Sequence, residues 1–171
     1  MAVSVVPSLS GDVRSRISEI FERQQATALR LRSSTAAERI AKIVKLRDAF
    51  IANTPAWYEA GHADFRKPAG EVDLAEILPV VVEANDAIRN LKGWMKPKRV
   101  WPTLLLAGTS GSIKYEPRGR CLIISPWNYP LNLTFGPLVS AIAAGNTAII
   151  KPSEMTPHLA AAMAKLVGEV F

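Results

Sequence analysis

The feature that most constrains the fold is a pair of short apolar runs separated by a stretch of small residues. The runs cover residues 121–125 and 147–150, and each has the length and composition of a buried parallel strand. Residues 135–144 between them fit a helix, for which Gly145-Asn146 is a suitable left-handed end. The pattern therefore predicts a strand, a helix and a parallel strand, which is how a βαβ layout begins. A further helix is predicted over residues 156–171.

Composition narrows the class of protein. The chain has 171 residues, of which 49% are hydrophobic, enough for one domain with a real core, and no apolar run is long enough to cross a bilayer. One cysteine excludes an internal disulfide and fits a reducing compartment, and the N-terminus lacks a secretory pattern, so we expect a cytoplasmic protein. The net charge of +6 comes from Lys and Arg interleaved with acids, so we expect no nucleic-acid partner.

The first hundred residues have the pattern of helices that serve structure. A first helix is predicted over residues 12–31, with an apolar stripe formed by Val13, Ile17, Ile20, Phe21, Gln24 and Ala28. A second begins at a capping box between Thr35 and Glu38 and is punctuated by Pro55. A third covers residues 72–94, with Pro79 bending it or lying near its start.

Residues 101–119 predict a β-hairpin arm. Strand-forming residues flank the turn-rich segment 108–111, and three consecutive leucines, Leu104 to Leu106, would make both faces of the first strand apolar. Such a strand is either part of the core or an arm that packs on a partner chain, and the sequence favours neither. The predicted domains are a helical segment over 1–100, this hairpin, and an α/β segment over 120–171.

Two loops are candidates for a binding site. The sequence ISPWNYP and residues 151–154 each follow a predicted strand, where open α/β sheets bind ligands. There is no GxGxxG motif, so a nucleotide would need a different arrangement. His62 and Asp64 are near neighbours, but two possible ligands do not make a metal site, and we expect none.

The sequence of these loops and of the elements between them also resembles a known protein family. The run EPRGRCLIISPWNYPLNLTFGPLVSAIAAGNTAIIKPSEMTP resembles the aldehyde dehydrogenase superfamily, and YEPRG and PWNYP look most like its class 3 branch of fatty, aromatic and coniferyl aldehyde enzymes. Weaker similarity reaches back to about residue 30. The resemblance implies an α/β fold with N-terminal helices, a β-hairpin arm used in oligomerisation, and the first half of a parallel dinucleotide-binding sheet.

The resemblance implies roles for six residues. Asn128 matches the asparagine whose side-chain amide helps to form the oxyanion hole. The positions that match cofactor-binding residues are Ser125, Pro126 and Trp127 beside the nicotinamide end, and Lys151 and Glu154 beside the adenosine ribose. Taken one by one, these residues have simpler explanations: Asn128 as a turn cap, Trp127 as a core residue, and Lys151 with Glu154 as a solvated pair.

The implied activity is NAD(P)-dependent oxidation of an aldehyde to a carboxylic acid. We expect NAD to be favoured over NADP, because Glu154 would repel a 2′-phosphate. The implied partners are a small-molecule aldehyde and, in the complete enzyme, a second copy of the chain in a homo-oligomer, expected to be a dimer.

Several of the family's catalytic parts belong to positions after residue 171. They are the nucleophilic cysteine, the general-base glutamate and a glycine-containing motif. Cys121 begins a predicted strand before Asn128, so we interpret it as a small apolar filler, and we expect this chain alone to be inactive. Two alternatives remain: an acylating enzyme that passes the acyl group to coenzyme A, and a truncated, non-catalytic partner of a full-length subunit.

Overall fold

The computed structural model describes residues 11–171, so predictions for residues 1–10 lie outside it. Its first part is helical. The helices are α1 (Gly11–Arg23), α2 (Gln25–Leu31), α3 (Ala36–Ala52), α4 (Thr54–Phe65), α5 (Ala69–Val72) and α6 (Leu78–Trp94), and a π-helical turn, Asp73–Ile77, joins α5 to α6. The third predicted helix is therefore divided, with Pro79 in the first turn of α6, where its missing amide costs little.

The predicted capping box begins α3. The Thr35 hydroxyl accepts from the Glu38 amide at 3.2 Å, and the Glu38 carboxylate accepts from the Thr35 amide at 2.6 Å. Pro55 lies in the first turn of α4, where it ends the preceding helix without breaking the next one. Both sequence signals are confirmed.

The strand, helix and parallel strand are also confirmed. β3 (Arg120–Ile124) pairs in parallel with β4 (Thr147–Lys151), in a register that places Ile124 opposite Lys151. Helix α7 (Asn132–Ala144) connects them and ends at Gly145, whose φ of 84° is left-handed. Helix α8 (Pro157–Val170) follows β4.

The prediction that β3 is buried on both faces is wrong for this chain. Ile123 packs into the core, but Leu122 and Ile124 are 61% and 66% exposed. Side chains alternate across a strand, and helix α7 covers only one face of the sheet. The face of β3 that carries Leu122 and Ile124 is therefore open in the described residues, whereas β4 beside it is half-buried.

The hairpin differs from its prediction. Its strands are β1 (Lys98–Val100) and β2 (Gly111–Ile113), which pair antiparallel, and Leu104–Leu106 form a 3-10 turn in the connection between them. Pro102 cannot donate to a strand ladder, which agrees with the early end of β1. Leu104 and Leu105 are 95% and 96% exposed, so the core-strand interpretation is wrong. The arm interpretation stays a prediction.

The first predicted helix breaks at Gln24, between α1 and α2. There the Gln24 side chain donates to the Ala148 carbonyl of β4 at 3.0 Å. Of the predicted apolar stripe, Val13, Ile17 and Ile20 are exposed and only Ala28 is buried. Periodicity predicted the helical conformation correctly without indicating what would cover its apolar face.

The core lies where α3, α4, α6 and α7 meet. The rings of Phe50, Trp57 and Phe135 are fully buried, with centroids 4.8 to 6.0 Å apart. The Trp57 indole also donates to the Phe50 carbonyl at 2.8 Å, so its polar atom is satisfied. This cluster supports α7, and α7 begins directly after the candidate site. Within residues 11–171, no helix has both the length and the apolarity needed to cross a membrane.

Candidate functional site

The two candidate loops lie side by side at the carboxyl edge of the parallel sheet. The first, residues 125–131, is called the asparagine loop here; the second covers residues 151–154. The Ser125 amide donates to the Lys151 carbonyl at 3.2 Å, which continues the pairing of β3 with β4 by one residue. The structure therefore brings the predicted nicotinamide-side and ribose-side residues to one edge, as the strand order implied.

The beginning of the asparagine loop is fixed by buried hydroxyl groups. The Ser125 and Thr134 hydroxyls are hydrogen-bonded at 2.7 Å, and the Thr134 hydroxyl also bonds the Pro130 carbonyl. A carbonyl can only accept, so Thr134 donates to Pro130 and Ser125 donates to Thr134. Ser125 is buried and Pro126 is exposed. Ser125 therefore fixes the loop rather than presenting a free hydroxyl.

The tip of the asparagine loop is exposed. Trp127 is 56% exposed, which contradicts its interpretation as a core residue, and its ring centroid lies 6.3 Å from that of Phe65. Asn128 is exposed too, and its side-chain amide makes no hydrogen bond to any residue in the described part of the chain. The turn-cap interpretation of Asn128 therefore has no hydrogen bond to support it.

Two residues that the sequence reasoning missed hold this loop. The Lys67 ammonium donates to the Asn128 carbonyl at 2.9 Å and to the Glu76 carboxylate at 2.7 Å. The second carboxylate oxygen of Glu76 accepts the amides of Leu131 and Asn132 at 2.9 and 3.1 Å. A signal was available, because Glu76 lies one helical turn before Val80, on the inward face of the third predicted helix.

This ion pair is buried. The side chains of Lys67 and Glu76 are 9% and 1% exposed. The Lys67 ammonium also lies 5.2 Å from the ring centroid of Phe65 and 4.9 Å from that of Tyr129, within the range of cation–π attraction. The cation is thus surrounded by a carboxylate, a backbone carbonyl and two rings.

The second loop presents a solvated ion pair. The Lys151 ammonium lies 3.0 Å from the Glu154 carboxylate and donates to the Pro152 carbonyl at 3.3 Å. A hydrogen bond from its own backbone amide, together with the Lys151 ammonium, holds the pKa of the Glu154 carboxyl below its ordinary value. The Glu154 carboxyl is therefore ionised at neutral pH, and both side chains are exposed enough to meet a ligand.

The acid Asp64 has a structural role. Its carboxylate accepts the amides of His158 and Leu159 at 3.2 and 2.9 Å, which caps the start of α8, and it lies 2.7 Å from the His158 ring nitrogen. His62 takes no part in these contacts. Across residues 11–171, no three His, Cys, Asp or Glu side chains lie together as metal ligands would.

The groups at this edge can bind and polarise a ligand. They are an amide donor at Asn128, an exposed indole at Trp127, and a cation with an anion on the second loop. Cys121, the one cysteine of the chain, is half-buried on β3. The edge therefore offers recognition and charge stabilisation without a nucleophilic thiol of its own.

Comparisons with known proteins identify the family of the chain. The sequence pattern of the aldehyde dehydrogenase family matches residues 5–170. The 4,4'-diaponeurosporen-aldehyde dehydrogenase of Staphylococcus aureus is 40% identical over 151 residues, which are 88% of this chain and 31% of that protein. Human aldehyde dehydrogenase family 3 member B1 is 37% identical over 159 residues, which are 93% of this chain and 32% of that protein.

A solved structure gives the same result. The substrate-bound structure of AldH from Staphylococcus aureus superposes with a TM-score of 0.87 at 39% identity, covering 91% of this chain and 34% of that one. The chain thus spans about a third of the length of these relatives. With a family match over nearly all of its residues and a fold to go with it, the chain belongs to the aldehyde dehydrogenase family, whose N-terminal part it matches.

Proposed function

We propose that residues 1–171 supply the oxyanion-stabilising loop and the cofactor-facing sheet edge of an NAD(P)-dependent enzyme that oxidises an aldehyde to a carboxylic acid. One observation carries the proposal. Asn128 has its backbone carbonyl held by Lys67 while its side-chain amide is exposed and makes no hydrogen bond to the described residues. A held backbone with an available donor is what a preorganised oxyanion site requires.

The chemistry explains the choice of asparagine. When a thiolate adds to an aldehyde, the carbonyl oxygen gains negative charge. A neutral amide donor fixed beside that oxygen stabilises the charge without reorganising during the reaction. Because the charge exists only after attack, the benefit falls on the transition state rather than on the bound aldehyde. The thiolate itself would come from residues outside this sequence.

The cofactor edge has suitable groups for a dinucleotide. NAD(P), which the family uses, supplies the hydride acceptor. Pro126 and Trp127 on the first loop would lie along its nicotinamide end, over the buried anchor Ser125. Lys151 and Glu154 on the second loop offer a cation and an acceptor for ribose hydroxyls. The anionic Glu154 favours NAD over NADP, because it would repel a 2′-phosphate.

The proposal is tested by adding the segment that follows the matched region in a longer relative. Residues 1–171 are joined to the segment of Staphylococcus aureus AldH that follows its matched region, and we call this fusion the completed enzyme. NADH formation from an aldehyde is expected for the fusion, and none for the 171-residue chain alone. A folded fusion that forms no NADH with any aldehyde would contradict the proposal. Turnover by the chain alone that is lost in Cys121→Ala would overturn the assignment of that cysteine as a filler.

A second candidate is a non-catalytic role as an interaction partner of a full-length subunit. The exposed leucines Leu104 and Leu105 on the hairpin favour it, since monomers rarely leave such side chains in water together. Sedimentation tests this candidate and also the expected homo-oligomer. Association of the chain with itself or with a full-length relative that is lost in the double variant Leu104→Ser/Leu105→Ser would support an arm. A stable monomer that does not bind the relative would refute this candidate.

A further inference from the structure

The asparagine loop is fixed at its beginning by the Ser125, Thr134 and Pro130 hydrogen bonds, but its tip has few restraints of its own. Trp127, Asn128 and Tyr129 are all exposed at its tip. At its far end α7 begins at Asn132, and the N-cap residue Leu131 supplies no side-chain cap. A loop of this kind would be free to move unless another element held it. The elements that hold its tip and its far end are the segment between α4 and α5 and the π-helical turn.

Glu76 fixes the end of the loop. Its carboxylate accepts the amides of the N-cap residue Leu131 and of Asn132, the first residue of the 13-residue helix α7, where the helix dipole favours an anion. The carboxylate comes from residue 76, more than fifty positions earlier in the chain. It therefore serves as a cap supplied from a distant element.

Lys67 fixes the middle of the loop. Its ammonium donates to the carbonyl of Asn128 itself, and the same ammonium pairs with Glu76. One buried ion pair thus holds the loop at Asn128 and at the start of α7. Removing either charge would leave the other one buried without its partner, which is costly.

The π-helical turn places Glu76 for this task. The turn covers Asp73–Ile77, and the Tyr58 hydroxyl donates to Asp73 at its start with a distance of 2.6 Å. The Asn132 side chain donates to the Ala75 carbonyl at 3.3 Å, a second contact between the turn and α7. Single π-helical turns inside α-helices are frequent at functional sites.

We propose that Lys67 and Glu76 are positioning residues that hold the Asn128 amide where the oxyanion develops. The proposal rests on the function proposed for Asn128. Neither residue touches the reacting atoms in it; both act through the backbone of the loop. A displacement of about 1 Å in such a site can cost about 10²-fold in rate. Loss of the Lys67–Glu76 ion pair, which we call the clamp, should therefore lower kcat more than it weakens substrate binding.

The first arm measures loop order in the 171-residue chain by hydrogen exchange. In Glu76→Gln the amides of Leu131 and Asn132 should exchange about 10-fold faster, the factor expected when hydrogen bonds to a charged acceptor are weakened. Arg89→Met is the matched control, because it removes an exposed cation of α6 whose ion pair, with Asp86 at 3.8 Å, lies on the surface. Unchanged exchange at these two amides in Glu76→Gln would overturn the clamp.

The second arm measures kinetics in the completed enzyme. Lys67→Met should lower kcat by about 10²-fold with little change in the KM for the aldehyde, and Lys67→Arg should restore most of the rate because a guanidinium keeps both the charge and the donors. Arg39→Met serves as a destabilised control. Arg39 is buried and bonds the Ala143 carbonyl at the opposite end of α7, so its loss should lower the melting temperature and leave kcat unchanged.

The outcomes separate the two proposals. A normal kcat in Lys67→Met, beside a depressed kcat in Asn128→Ala, overturns the positioning role and leaves the function of Asn128 standing. A normal kcat in Asn128→Ala refutes the proposed function and this inference with it. Loss of rate in Lys67→Met, rescue by Lys67→Arg, and loss of rate in Asn128→Ala together support both.

Discussion

At the residue scale, the backbone conformation at Gly145 depends on the absence of a Cβ atom. Its φ is 84°, and a Cβ built there would lie 2.5 Å from the guanidinium carbon of Arg39. That guanidinium donates to the Ala143 carbonyl at 3.0 Å, so it has little room to retreat. Glycine therefore ends α7 and admits the arginine that caps it.

Replacing Gly145 should cost stability without touching the site. Gly145→Ala forces a left-handed alanine and displaces Arg39, so we expect a loss of about 1–3 kcal/mol in the free energy of unfolding. Denaturant titration measures it. The control is Gly93→Ala in α6, where nothing lies within 4 Å of the added carbon and alanine suits a helix better. An unchanged midpoint for Gly145→Ala would contradict the account of this turn.

Glu154 gives a second prediction at the same scale. In the completed enzyme, Glu154→Gln removes the anion expected beside the adenosine ribose, so the ratio of kcat/KM for NADP to that for NAD should rise by about 5-fold. Glu169→Gln, which neutralises an exposed acid on α8, should leave the ratio as it was. The same ratio in Glu154→Gln as in the parent would mean that this carboxylate does not face the ribose.

At the element scale, the start of α3 predicts a dependence of stability on pH. Hydrogen bonds from the Thr35 backbone and hydroxyl hold the pKa of Glu38 below its ordinary value of 4.5. Because the folded-state pKa is lowered, the contribution of Glu38 to stability is present above pH 4.5 and is lost as the pH falls through the lowered pKa.

Thermal unfolding of Glu38→Gln tests this dependence. The parent chain should melt above the variant at pH 7, and the difference between them should shrink as the pH falls toward 3. Thr35→Ala supplies the control, because without the capping hydroxyl Glu38→Gln should have a smaller effect at neutral pH. A difference in melting temperature that is the same at both pH values would contradict the capping box as its cause.

The elements also show how much of the fold could be predicted from the sequence alone. The β3, α7 and β4 unit was predictable because each signal is local: an apolar run, small residues, and a glycine at the turn. The hairpin strands were misplaced because the leucines dominated the local pattern while Pro102 ended the ladder before them. The α1 stripe is periodic, but periodicity does not state which surface covers it.

The candidate site also has one part that the sequence predicts and one part that it does not. Its two loops were predictable because parallel strands bring their carboxyl ends to one edge. The clamp was not, because Lys67 meets Asn128 across 61 positions of sequence and nothing local to either residue encodes that contact. The one available hint was the acid on an apolar helix face, since a buried carboxylate requires a partner.

At the scale of the whole molecule, the described residues form a supported edge rather than a closed active site. The aromatic cluster fixes α7, α7 and the sheet fix the asparagine loop, and the ion pair holds the backbone of Asn128. The open faces of β3 and of the hairpin carry exposed apolar side chains. This arrangement fits a part that acts with further protein, as the proposed function requires.

The most direct measurement is steady-state kinetics beside a melting curve for Asn128→Ala in the completed enzyme. Loss of one oxyanion donor should lower kcat by about 10²–10³-fold, while the melting temperature and cofactor affinity stay nearly unchanged. If Asn128 is only a turn cap, stability should instead fall by about 1 kcal/mol with kcat little altered. A destabilised variant with a normal kcat would contradict the account.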